Sequence, residues 1–412
     1  MRAGLSSHGS GAIGTPRAAT VNLLPASLRA AIAGGVGGAL AALLLLGSER
    51  LQRLIWGAAV GAGMATQRSP LWCLAVPTGI GLLLSLIGAQ RPSGRLPELG
   101  ETLAALRHQQ EISPAGPNRQ RSTGLRQAVA GLLALIGGGS LGPEALVSHA
   151  VASLSRWIWR GRDQPVAAAA LAGPIVLVGR HTQLLWRWFP GTLAGVTGFI
   201  AFQGLRGLGP GLEAVPFNPS LLHQARLPAL VAALAGGAVG CGCGHALQGW
   251  RRWLRRRSAQ RCNPLAPVLT GLAVGLALWT LPLAAMSGEL QLQPLLLGRW
   301  GLAPGLLLLS GVLKLLLTGL CLETGWRGGL IFPVLTGSAA IGMGLHQLLP
   351  ALGQAGIWLG SVAGGCLGAL LPSPLLALVL GLVLLNGHGA EALLIGLLLS
   401  QMLRHQSEAQ AD

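Results

Sequence analysis

Long apolar runs, broken at intervals by glycine, proline or a short charged turn, organise this chain. They include Ala30–Leu46, Leu227–Leu247, Pro264–Met286, Leu302–Leu320 and Leu375–Leu385. Several approach the roughly 20 residues a membrane-spanning helix needs, and others are clearly shorter. The alternation of apolar and polar residues that a transmembrane strand requires is not seen. The pattern predicts an all-α polytopic membrane protein of tilted, interrupted helices with small residues at close helix contacts.

Residues 1–20 are small and polar, lack the apolar core of a signal peptide, and read as a disordered cytoplasmic tail. Apolar material from 21 to 89 is punctuated by Glu49, Arg50 and Arg53, and a polar segment from 90 to 126 follows. Another apolar block covers 166–202, and a Gly/Pro-rich connector covers 204–219. A long helix beginning near Leu227 runs into WRRWLRRRSAQR. A polar turn, ETGWRGGLIFP, spans Glu323–Pro333, and short apolar helices then reach about residue 404, leaving 405–412 as a second tail. The second half repeats the first in kind, with units of about 21–205 and 220–404 and glycine-rich turns about 190 residues apart. Interrupted helices in corresponding places of two halves predict an inverted-repeat transporter fold, with the site at the repeat interface.

Composition strengthens the membrane reading. Only 10% of residues are charged and 51% are hydrophobic, with a mean hydropathy of +0.59; soluble domains carry about 25% charged residues. The net charge of +17 is concentrated in two arginine-rich loops, 91–126 and 251–261. Both flank hydrophobic spans, which places them, with both termini, on the cytoplasmic side of a plasma (inner) membrane. The second loop suits contact with anionic lipid headgroups. A nucleic-acid partner is not expected, because its two tryptophans lie where an interfacial belt would put them. Cys241-Gly-Cys243-Gly-His245 matches no standard zinc spacing, and close helix packing explains it; no metal or cofactor is expected.

The candidate chemistry lies in three turns. Ser93-Gly94-Arg95-Leu96-Pro97 joins two apolar stretches. Gly139-Ser140-Leu141-Gly142-Pro143 precedes a predicted helix over Glu144–Arg156, and Gly328-Gly329-Leu330-Ile331-Phe332-Pro333 precedes one over Val334–Leu348. Each presents free backbone N–H groups at a helix N-terminus, which carries about half a positive charge and binds anions without a full cation. Such ends converging at mid-membrane make a weak, dehydrated anion site, which suits conduction because the ion must also leave. Charge at this depth is costly, so Glu144 needs a role. Its carboxylate either occupies the anion site and gates it, or caps its own helix.

These residues resemble the chloride channel and chloride/proton antiporter (CLC) family. GGGSLGPEALV is similar to the family's G-x-E-G-P signature, with Glu144 on the gating glutamate. GWRGGLIFPVLTGSAAIG is similar to its G-G-x-F-x-P signature, with the backbone of Leu330 and Ile331 near the anion. PSGRLPEL resembles the G-S-G-I-P signature, with Ser93 on the anion-coordinating serine. Order and spacing agree from about residue 22 to 404. The resemblance implies a homodimer with one anion path per subunit, an anion site at Ser93, Gly94, Gly142, Gly329, Leu330 and Ile331, and a gate at Glu144.

The chain also departs from that pattern. It has no tyrosine to line the anion. Pro143 replaces the basic residue often found before the gating glutamate, and the proline after it is missing. Antiporters of the family relay protons through an internal glutamate, but the matching stretch, LAGVTGFIAFQG from Leu193 to Gly204, holds no acid, and neither does the segment around Val383. Glu289, Glu323 and Glu391 lie at segment ends. Lys314, alone in an apolar run, is expected to snorkel or to pair with Glu323. Ser140 or Ser148 near His149 lacks an orienting acid, so enzymatic chemistry is not expected. The expectation is passive chloride or small-anion conduction gated by Glu144. Chloride/proton exchange through an unrecognised donor is the alternative, and a non-conducting membrane protein with a structural role is the third reading.

Overall fold

A computed structural model describes residues 23–57, 68–89, 117–147, 227–260 and 263–409, with a few helical positions between 150 and 205. Ser93, Gly94, Ser148 and His149 lie outside the described residues, as do the tail 1–20, most of the 166–202 block and most of the 204–219 connector. The predicted helix over Glu144–Arg156 is described through residue 147.

The described chain is all helical apart from one isolated bridge. In chain order the helices are α1 (Leu23–Trp56), α2 (Pro70–Ile87), α3 (Pro117–Ile136), α4 (Leu227–Gln260), α5 (Ala266–Thr280), α6 (Glu289–Leu296), α7 (Pro304–Thr324), α8 (Ile331–Leu348), α9 (Ala355–Leu370), α10 (Pro374–Leu384) and α11 (Ala390–Ala409). Five of these contain apolar stretches long enough to cross a membrane, and others, among them α5, α9 and α10, are apolar but shorter. Large apolar side chains on the outside, such as Leu71, Leu86, Leu269 and Leu309, are exposed as a lipid-facing surface would require.

Local sequence explains most boundaries. Proline opens α2, α7 and α10, where its missing N–H costs no helical bond. The hydroxyls of Ser69 and Ser373 accept from the amides of Trp72 and Leu376, and cap α2 and α10. Left-handed glycines, Gly88 and Gly325, end α2 and α7. The helices then approach closely through small residues. A Cβ added at Gly240 would lie 2.1 Å from the Val362 carbonyl oxygen, and one at Gly364 would lie 2.1 Å from that of Leu393. α9 is thereby sandwiched between α4 and α11 at backbone contact.

Three boundaries differ from expectation, the first being the start of α8 at Ile331 and not at Val334, so that Ile331–Pro333 form its first turn. The run Pro264–Met286 is not one helix, because α5 stops at Thr280 and a 3-10 turn, Pro282–Ala284, follows. The freed carbonyls are held by a distant lysine, described below. At the other end α11 continues to Ala409, past the start of the expected tail at 405.

The basic end of α4 is fastened to the bundle. Arg251 Nε and Arg255 Nε each lie 3.0 Å from Glu323 Oε1, and the Glu323 side chain is 1% exposed. One helical turn separates the two arginines, so both reach the same carboxylate at the end of α7. Glu323→Ala would leave a partly buried guanidinium pair without its acceptor. We expect a loss of about 1–3 kcal/mol, read as a lower Tm in detergent, with wild-type Tm counting against a structural ion pair.

Candidate functional site

The loop between α3 and the helical turn at Glu144 is built around glycine. Gly138 adopts φ +81°, and its carbonyl accepts from the Met286 amide at 2.8 Å. Gly139 lies against the buried Trp326 ring, whose Nε1 donates to the Pro267 carbonyl at 3.0 Å. The buried Ser140 hydroxyl sits 3.3 Å from the Lys314 carbonyl oxygen and 3.0 Å from Thr318 Oγ1. It is therefore engaged in holding the loop to α7.

Gly142 then meets Gly329 from the other signature turn. The Gly142 amide donates to the Gly329 carbonyl at 2.8 Å, and the Gly329 amide donates to Gly142 at 2.7 Å. This reciprocal pair joins two segments far apart in sequence. It also uses both amides, so Gly142 and Gly329, expected as anion donors, fasten the loops to each other in this conformation. Gly328 makes the approach possible, since a Cβ there would lie 2.6 Å from that of Leu141. Pro143 is buried, and its carbonyl accepts from Val147 to start the helical turn carrying Glu144.

Glu144 folds its carboxylate across this junction. Oε1 accepts a hydrogen bond from the Ile331 amide at the N-terminus of α8. The Phe332 amide and the Glu144 amide also act on the carboxylate. Pro333, next along α8, has no N–H to offer. The buried Oε2 has no hydrogen-bond partner. A carboxylate thus sits where the sequence places an anion, at the positive end of α8, and touches its own helical turn as well. Gly142 and Gly329 form the walls of this seat: an added Cβ would lie 1.9 Å from Glu144 Oε2 and 2.1 Å from Glu144 Cδ, respectively. Leu330, buried, stands immediately before α8, and Phe332 is half-buried on its first turn.

Valine at Gly329 would fill the seat itself. Anion flux is expected to fall to the level of protein-free liposomes, and to stay there when Glu144→Ala is added. Flux returning in the double variant would mean that Gly329 shapes only the glutamate's position and not the path.

Lys314 is neither snorkelling nor paired with Glu323. It is fully buried on α7, and Nζ donates to the carbonyls of Leu283 (3.0 Å), Ala285 (2.7 Å) and Met286 (3.0 Å) and to Gln291 Oε1 (2.9 Å). The ammonium replaces the hydrogen bonds those carbonyls lost when α5 ended early. Gln291 also donates to Pro282 at 3.0 Å, and Thr336 Oγ1 of α8 donates to the Gly288 carbonyl at 3.1 Å. Glu289, the next residue, is 5% exposed and acts electrostatically on Glu144. Expected only at a segment end, it opens α6, buried beside the gate candidate. Arg327, buried immediately before Gly328, escaped sequence reasoning as well.

A buried carboxylate on a helix N-terminus, framed by two glycine loops, sits inside a bundle of membrane-length helices that defines a polytopic helical membrane protein. The chain belongs to the voltage gated chloride channel family, whose model matches residues 163–404. It is 27% identical over 378 residues to the "Putative ion-transport protein YfeO" of Escherichia coli O17:K52:H18 (strain UMN026), covering 82% of each chain. The Shigella flexneri protein of the same name is also 27% identical, again over 82% of each. The fold is similar to that of a slow cyanobacterial Cl⁻/H⁺ antiporter, with a TM-score of 0.70 and 18% identity over 92% of this chain and 94% of that one. A CLC-type fluoride/proton antiporter gives 0.64 and 17% over the same shares.

Proposed function

We propose that this chain carries chloride or a similar small anion across the membrane through the seat held by Glu144. The carboxylate competes with the anion for the α8 N-terminus and so gates the path. The observation that supports this reading is the Glu144 carboxylate itself, bound through Oε1 to the Ile331 amide while Oε2 has no hydrogen-bond partner. An incoming anion can take over the amides that Glu144 releases. The named ion-transport relatives and the halide antiporters of similar fold agree with a small anion as cargo. The working unit is a homodimer in the plasma membrane, with one path per subunit between two related halves.

Passive conduction needs no titrating group beyond Glu144. A second reading, anion/proton exchange, is favoured by one observation: Glu289 is a second buried carboxylate within electrostatic reach of the first. Anion efflux from liposomes containing the purified protein, with internal pH followed alongside, tests both. Chloride efflux without proton movement supports conduction, and efflux with an opposing pH change supports exchange. No flux of chloride, fluoride or nitrate from folded protein would sink the transport reading and favour a structural role.

A further inference from the structure

We propose that the outward face of the α4 end is a binding site for the phosphate headgroup of an anionic membrane phospholipid, held by Arg252, Arg256 and Arg257 beside Trp253. The sequence brings a basic run to the edge of a span, and the structure divides that run in two. Arg251 and Arg255 turn inward and share the Glu323 carboxylate at the end of α7. Arg252, Arg256 and Arg257 are exposed, with Trp253 among them at 43% exposure. Residues 252 and 256 lie one helical turn apart, as do 253 and 257, so the two pairs form adjacent rows on one side of the helix.

Depth puts this face among headgroups. The 34 residues of α4 make a helix about 51 Å long, against roughly 30 Å of hydrocarbon. Leu227–Leu247 alone spans that thickness, and the arginines begin about 6 Å beyond it. Trp250 and Trp253 mark the same level, with rings stacked at 5.0 Å between centroids. Trp250 Nε1 donates to the Leu316 carbonyl of α7 at 3.1 Å, so the stack fixes the Trp253 ring on the bundle. Arg257 Cζ sits 4.3 Å from the centroid of that ring. A guanidinium lying on an indole face keeps its N–H edge turned outward for a phosphate.

The occupant follows from charge and depth together. α4 carries no acidic residue of its own, and Glu323 serves the inward pair. Three guanidiniums crowded on one side of a helix repel one another. A phosphate diester among them offsets that repulsion and accepts bidentate N–H bonds. A soluble acidic partner would supply the same charge but gives no reason for an exposed indole, which belongs at the boundary of lipid and water.

The test titrates full-length, detergent-solubilised protein with phosphatidylglycerol or with phosphatidylcholine of the same acyl chains, read by native mass spectrometry and by Tm. Phosphatidylglycerol should bind more tightly and should raise Tm, because it binds the folded state. Arg252→Gln/Arg256→Gln should weaken phosphatidylglycerol binding by about 5-fold per arginine, about 25-fold for the pair, and abolish the gain in Tm. Arg50→Gln/Arg299→Gln removes the same charge from exposed positions away from α4 and should leave both readouts unchanged. Equal binding of the two lipids by the wild type overturns the proposal, and that comparison stands whether or not the variants fold. An equal loss in the two double variants also overturns it, since net charge alone would then explain the binding. Displacement of phosphatidylglycerol by inorganic phosphate or by polyglutamate would assign the arginines to a soluble anion and overturn it as well.

Discussion

Glu144→Ala is expected to tighten apparent chloride affinity by about 10- to 150-fold and to flatten the pH dependence of flux. The Ile331 amide is the most direct donor to this carboxylate. In the wild type an anion must displace a tethered competitor that already makes a charge-assisted bond. Such a bond contributes about 1.5–3 kcal/mol, and each 1.4 kcal/mol is a factor of ten in affinity. Alanine removes the competitor and leaves the amides of α8 in place. Glu144→Gln separates charge from occupancy: it keeps a side chain of the same size in the seat but cannot ionise. It should lose the pH dependence as alanine does, with a smaller gain in affinity because the amide oxygen still accepts from Ile331. The sign in the wild type follows. Acidification neutralises the carboxylate and weakens its hold on the amide, so flux rises as pH falls. Wild-type affinity and an unaltered pH profile in both variants would remove Glu144 as a gate.

Much of the architecture is legible in the sequence, for reasons that can be located. α7 reads as a helix because Pro304 opens it, Gly325 closes it and the residues between are apolar with one exception. The meeting of Glu144 with Ile331 is anticipated by two glycine turns, each placed just ahead of a helix. What the sequence does not carry is the identity of partners that are backbone. Lys314 invites pairing with an acid, and Glu323 is the nearest in the chain; the lysine instead takes three carbonyls from a loop about 30 residues upstream. Glu323 finds its cations on α4, some 70 residues away. Pro282 accounts for the break at Thr280; what the apolar run Pro264–Met286 does not announce is that a distant ammonium holds the carbonyls beyond it. Glu289 is missed for a related reason. Its position at the edge of an apolar run suggests water, and only the left-handed turn at Gly288 directs it into the protein. The readings at Ser93 and Gly94 concern residues outside those described, so the candidate site is built here from two of the three turns.

Lys314→Met should be the most damaging single substitution for the folded state, because one ammonium shares its three protons among four buried acceptors. Methionine matches the length and apolar stem of lysine, so packing on α7 is little changed. The carbonyls of Leu283, Ala285 and Met286 and the Gln291 side-chain oxygen would each lose a donor in a region with little access to water. Leaving a buried acceptor without a donor costs about 1–3 kcal/mol, so losing this ammonium takes a large share of the roughly 5–15 kcal/mol that a folded domain holds in reserve. The loss should appear as a strongly lowered Tm in detergent or as poor recovery of monodisperse protein. Lys314→Arg is the informative companion. A planar guanidinium keeps the charge but cannot aim three protons inward as a compact ammonium does, and it must enter a site where the lysine Cε already lies 3.2 Å from the position of a Cβ on Gly288. It should therefore rescue poorly. Wild-type stability in Lys314→Met would mean that the loop after α5 is held by other contacts and that its lysine is incidental.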